Sequence, residues 1–141
     1  MGIELAIVTE AAQAFKEIQP ALATLQTDPE DPEANLAVGR YRCFLQGDWR
    51  RGVPLLTVGS DPGLRALARK ELETGQLWPL RKDTAAKIGL GCDWSNMVAN
   101  LKGSSKLRVH ERAEAWYRDA ASDMTGALRR ATMQRIDEMA K

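Results

Sequence analysis

Three Asp-Pro steps, Asp28-Pro29, Asp31-Pro32 and Asp61-Pro62, constrain this chain more than any other feature. An aspartate carboxylate accepts the free amide hydrogens at a helix start, and proline fits the first helical position because an N–H is not needed there. The same proline cannot continue a helix arriving from upstream. Asp28 to Glu33 therefore reads as a break followed by a restart, with Asp31 as cap and Pro32 in the first turn. Gly59-Ser60-Asp61-Pro62 repeats the stop, cap and proline. Such a chain must fold as several short helices.

The apolar spacing agrees. Leu5, Val8, Ala12, Phe15 and Ile18 recur every three or four residues and share one helical face. Gln19-Pro20 either ends that helix or lets Pro20 open a second one carrying Leu22 and Leu25 inward. A helix with Leu36, Val38, Tyr41 or Arg42, and Leu45 inward stops near Gly47, and Asp48 caps the next, with Trp49, Val53, Leu55 and Leu56. Leu64, Leu67, Ala68 and Leu72 form another stripe. Thr74 to Lys82, containing Gly75 and Trp78-Pro79, reads as the longest irregular connection. Asp83 or Thr84 then caps a helix with Ile88, Leu90, Trp94, Met97, Val98 and Leu101, closed by Gly103-Ser104-Ser105. A long helix with Leu107, Val109, Ala113, Trp116, Tyr117 and Ala120 follows. A turn at Asp123 to Gly126 leads to Leu128, Ala131, Ile136 and Met139. No stretch alternates with period two, and no Asn-Gly or Asp-Gly hairpin turn occurs. The expectation is an all-α domain of about six or seven helices spanning 1–141.

At 141 residues the chain is long enough for a core of its own. Its 44% hydrophobic and 28% charged residues are ordinary globular values, which disfavour disorder and a membrane span. Twenty Lys+Arg against nineteen Asp+Glu give a net charge of +1, without the basic excess of a dedicated nucleic-acid binder. The N-terminal stretch is interrupted by Glu4 and Glu10 and has no basic lead, so it does not read as a secretory signal. Ala6 stands where a myristoylation motif needs Ser or Thr. The chain is expected to be cytoplasmic or a segment of a larger, exported protein.

Paired helices with similar caps prompt a search for internal repeats. Leu36-Ala37-Val38-Gly39 matches Ile88-Gly89-Leu90-Gly91, with apolar residues at the same offsets before a glycine. Asp48 to Leu72 lies beside His110 to Ile136, with Ser60-Asp61 against Ser122-Asp123. The repeat-like units are about 32–73 and 84–139, joined by 74–83.

These residues resemble the tetratricopeptide and Sel1-like superfamily. Leu25 to Ala34 is similar to its inter-repeat junction, and Leu36-x-x-Gly39 followed by Gly47-Asp48-Trp49 is similar to its first helix and turn. Gly91-x-x-Trp94 keeps its small-then-aromatic spacing, and Ala113-x-x-x-Tyr117-x-x-Ala120 is similar to its second helix. Gly47 through Asp61, with the Leu90 to Trp94 and Ala113 to Tyr117 helices, is also similar to a divergent helical-repeat module of large planctomycete multidomain proteins. The likeness covers roughly residues 21–139 and departs at 74–83 and at Gly103 to Arg108. It implies a short right-handed superhelix of antiparallel helix pairs whose concave side holds a protein or peptide. Outward positions on the first helices are then the candidate partner-binding residues: Glu33, Arg40 and Phe44, with Cys43, in one unit, and Lys87 and Asn96, with Cys92 and Ser95, in the other. Trp78, in the irregular segment, is a further candidate anchor.

Catalytic chemistry finds little support. His110 is the only histidine and sits beside Glu111 in a charged helical stretch. Cys43 and Cys92 are far apart and outside any CxxC pair, so a zinc site lacks ligands; each reads as a free thiol, or the two bridge if their helices pack together. Ser104-Ser105-Lys106 has no P-loop frame, and Gly89-x-Gly91 has Trp94 where a dinucleotide fingerprint needs glycine. Caps and solvated faces account for the neighbours Glu71 and Glu73. No catalytic residue, metal or cofactor is expected. Arg40, Arg42, Arg50 and Arg51, interleaved with Tyr41 and Trp49, could stack on nucleic-acid bases, so a nucleic-acid-binding helical domain is the alternative, and a structural spacer a second one.

Overall fold

The computed structural model describes residues 2–77, 84–123 and 126–139. Trp78 and Asp83 lie outside the described residues, as do the side chains of Leu5, Val8 and Leu128. All regular elements among the described residues are helical: α1 (Gly2–Glu17), α2 (Gln19–Thr27), α3 (Pro32–Arg40), α4 (Trp49–Leu56), α5 (Pro62–Leu77), α6 (Thr84–Met97), α7 (Gly103–Ser122) and α8 (Gly126–Met139). The all-α class is as the sequence predicts. Pro20 opens α2, and the Ile18 N–H bonds the Ala14 carbonyl at 3.1 Å while its own carbonyl accepts from Leu22 at 2.9 Å. The ladder thus crosses the junction, and α1 with α2 counts as one helix broken only at Ile18.

The acidic caps form as the Asp-Pro spacing requires. Asp31 accepts from the Ala34 N–H at 2.8 Å and Asp61 from the Leu64 N–H at 3.1 Å. Asp48 caps α4 more loosely, accepting from Arg51 at 3.3 Å. Gly47 adopts φ +69°, the left-handed conformation that lets the preceding helix stop and turn. Pro54 sits inside α4 on its exposed side, where it removes one ladder bond.

Four local expectations are corrected. Helix α5 runs through Gly75 to Leu77, so the irregular connection does not begin at Thr74. Gly103 to Ser105 do not close α6, which ends in a 3-10 turn at Val98–Asn100; Gly103, at φ +63°, opens α7 instead. Phe15 and Leu107, placed on inward stripes, are each 50% exposed. Phe44, placed on an outer face, is 2% exposed. Phe44 lies in a π-helical turn over Tyr41–Leu45, closed by the Gln46 N–H on the Tyr41 carbonyl at 3.1 Å. Tyr41, Cys43 and Phe44 are all buried because this turn packs against α1, α4 and α7 and is covered on more than one side.

Successive helices pack on one another in order from α1 to α8, with α6 against α7 the most extensive pairing. Helix α7 also reaches back to the π turn and to α1. One apolar cluster joins the π turn to α7 through Phe44, Val53, Leu56, Leu67, Leu90 and Trp94. Glycines set the closest approaches. A Cβ on Gly52 would lie 2.3 Å from the Cys43 Sγ, and one on Gly91 would lie 2.8 Å from the Tyr117 ring. A Cβ on Gly39 would lie 2.9 Å from Leu56. Gly39 and Gly91 thus each stand where a neighbouring side chain leaves no room for a Cβ.

Candidate functional site

The stripe on α5 that buries Leu64, Leu67 and Ala68 continues at helical spacing to Glu71. A carboxylate at a core position must be paired or hydrogen-bonded, since desolvating an isolated charge is too costly. Glu71, whose side chain is 3% exposed, meets this need with a single oxygen. Its Oε1 accepts from the Trp94 indole N–H at 3.1 Å, the Trp116 indole N–H at 2.5 Å and the Arg112 Nε at 2.9 Å. The Arg112 guanidinium lies 5.2 Å from the Trp49 ring centre and 5.4 Å from that of Trp116, and Trp49 meets Trp94 edge-on at 5.1 Å. One buried carboxylate therefore ties α5 to α6 and α7, and an arginine between two indoles draws in α4. Glu71 is not the solvated surface acid that the sequence suggests.

Beside this cluster opens a cavity of about 250 Å³ lined by Trp49, Arg50, Val53, Leu72, Arg112 and Trp116, with Glu71. A second groove, of about 310 Å³, is lined by Glu17, Ile18, Arg40, Tyr41, Phe44 and Leu45. The Arg40 guanidinium lies 5.7 Å from the Phe44 ring centre, and exposed Phe15 lies 6.1 Å from Tyr41. A third, of about 410 Å³ between α5 and α6, is lined by Leu64, Leu67 and Met97 with Asp61, Asn96 and the 3.1 Å Lys70–Asp93 ion pair.

The candidate partner-binding residues do not converge. Arg40 and Phe44 share one groove, Phe44 from within the core. Asn96 is exposed at another cavity, and Glu33 is exposed in the first turn of α3. Lys87 is corrected from surface to core: its side chain is 3% exposed and bonds Asp123 at 2.7 Å and Asp119 at 3.3 Å. Burial alone would lower its pKa, but the bonds from both aspartates outweigh that and hold it above the ordinary lysine value. Trp78 lies outside the described residues.

Both cysteines are free thiols. Burial, with Glu71 nearby, pushes the Cys43 thiol far above its ordinary value. Tyr117 donates to the Cys92 Sγ at 3.0 Å, and burial raises the phenol, with the Cys92 bond adding to the effect and Arg135 opposing it. Of the arginine cluster, Arg42 donates to Gln46 at 3.4 Å and Arg51 pairs with Asp48 at 3.6 Å beside Tyr41, which is 9% exposed, while Arg40 and Arg50 are exposed. Among the described residues no group of three or more His, Cys, Asp or Glu is placed to hold a metal ion, and no helix is long and apolar enough to cross a membrane.

Sequence signals for Glu71 and Lys87 did exist. Positions 64, 67, 68 and 71, and positions 87, 90, 91 and 94, follow the helical repeat of a buried face. Only the charge of the residue type argues against burial, and the partners that permit it are 23 to 45 residues away for Glu71. No protein-family model, no curated protein and no solved structure matches this chain.

Proposed function

We propose that the chain is a non-catalytic protein-interaction or scaffold module of the helical-repeat kind, its helix pairs stacked as a short right-handed superhelix. Sequential packing from α1 to α8 supports the repeat reading, as does the shared close-approach role of Gly39 and Gly91. The observation that carries the functional reading is the groove under Arg40. It combines a buried aromatic floor (Tyr41 and Phe44), a guanidinium held over that floor and an exposed phenylalanine at its side. Aromatic and arginine side chains dominate binding energy at protein interfaces, and an exposed apolar patch rimmed by charge marks such sites. The titratable groups of the core are held in ion pairs and hydrogen bonds with one another, which suits a frame better than a reacting centre.

The test is affinity capture with the purified chain, beside Arg40→Glu and Glu33→Gln variants of unchanged helicity. The expected outcome is a partner whose recovery falls at least about tenfold with Arg40→Glu and stays level with Glu33→Gln. Equal recovery by wild type and Arg40→Glu would remove this groove from the reading. Salt-sensitive retardation of DNA or RNA, lost in Arg40→Glu, would favour the nucleic-acid alternative.

A further inference from the structure

The cavity beside Glu71 brings together several hydrogen-bond donors that bond no acceptor among the described residues. Arg112 uses only its Nε on Glu71; its two terminal nitrogens bond no acceptor among the described residues. Arg50 lines the same cavity, is exposed and pairs with no carboxylate among the described residues. Trp49 is half-buried, and its indole N–H likewise meets no acceptor among them. Three residues that carry such donors thus line about 250 Å³ of space, together with Val53, Glu71, Leu72, Gly75 and Trp116. The charge sum points the same way: Glu71 and Arg112 cancel, and Arg50 leaves the wall at +1.

A ligand complementary to this wall accepts hydrogen bonds, carries one negative charge and offers an apolar group to the indoles and aliphatic side chains. A carboxylate is acceptor-only and matches a guanidinium edge. A cation would be repelled by Arg50 and would have to displace Arg112 from the two rings. We infer that the cavity lined by Trp49, Arg50, Arg112 and Trp116 is a docking site for an acidic side chain of a partner protein, an Asp or Glu next to an apolar residue. The inference rests on the reading of the chain as an interaction module and adds to it a second contact, on α4 and α7, with its own partner chemistry.

Tryptophan fluorescence tests it, because two of the four indoles line the cavity. The whole chain is titrated with acetyl-Leu-Glu-Leu-amide, with the isosteric acetyl-Leu-Gln-Leu-amide, and with acetate. The expected result is a saturable change with the glutamate peptide only, weakened about tenfold or more in Arg50→Gln and by added salt. Arg50 is exposed, so its variant keeps the Glu71 cluster intact and reports on the ligand alone. Equal binding of the glutamine peptide, no response to the glutamate peptide, or unchanged affinity in Arg50→Gln would overturn the inference. Acetate binding as well as the peptide would overturn the docking role and leave a simple anion site. Partner capture that depends on Arg40, together with an inert Arg50, would leave the interaction reading standing without this site.

Discussion

At the scale of single residues, two buried charges decide most. Glu71→Ala removes the acceptor shared by Trp94, Trp116 and Arg112 and strands a partly buried guanidinium. Breaking a buried pair by deleting one partner costs about 3–5 kcal/mol, whereas Glu71→Gln keeps a carbonyl acceptor and should cost about 1–3 kcal/mol. Urea unfolding followed by tryptophan emission measures both, and equal losses would contradict the shared-acceptor account. Lys87→Met leaves Asp119 half-exposed and Asp123 nearly buried without their cation, a loss of about 2–3 kcal/mol. The pH dependence follows from the direction of the Lys87 shift. Its folded pKa is raised above the ordinary 10.5, so the triad's stabilisation is complete below that pH and is lost as pH rises through the folded value. The stability gap between wild type and Lys87→Met should therefore shrink in the strongly alkaline range; a constant gap would contradict the assignment.

At the scale of elements, small residues govern how closely helices meet. Gly52→Ala places a methyl 2.3 Å from the Cys43 sulfur and should push α4 off the π turn, at about 1–3 kcal/mol. Cys43→Ala removes that sulfur, so the double variant should cost at least about 1 kcal/mol less than the two single losses added. Recovery should be partial, because the Cys43 amide nitrogen and the Gly39 carbonyl lie only 3.0 and 3.1 Å from the new methyl. Strict additivity in the double-mutant cycle would place the clash elsewhere. The π turn itself was not legible in Arg40 to Leu45. A 3.6-residue period left Tyr41 and Arg42 as alternatives, and only packing against α4 and α7 shows that Cys43 and Phe44 turn inward.

Across the whole molecule, the start of α7 is completed by a distant element. Lys102, its N-cap residue, makes no side-chain cap bond, and the Glu10 carboxylate of α1 accepts from the Ser104 N–H at 3.3 Å instead. A carboxylate there also faces the positive end of the helix. Glu10→Ala should destabilise the fold by about 0.5–1 kcal/mol, and Glu10→Gln by less. Hydrogen exchange should quicken in the first turn of α7; protection unchanged at Ser104 would show that α1 contributes nothing to that helix start.

The sequence by itself determined the all-α class, the helix starts at Pro32, Trp49 and Pro62, and the apolar stripes of Val38, Leu64, Leu67, Leu90 and Ala113. Those features are local: an Asp-Pro step or an apolar residue every third or fourth position acts within one or two turns. Tertiary structure alone decided that Glu71 and Lys87 belong in the core, that Phe15 and Leu107 stay outside, and that Gly103 opens a helix rather than closing one. The physical reason is common to Glu71, Lys87 and the α7 start. A charge can be buried, and an uncapped helix can begin, when another helix supplies the missing partner, and here those partners stand 23 to 94 residues away along the chain.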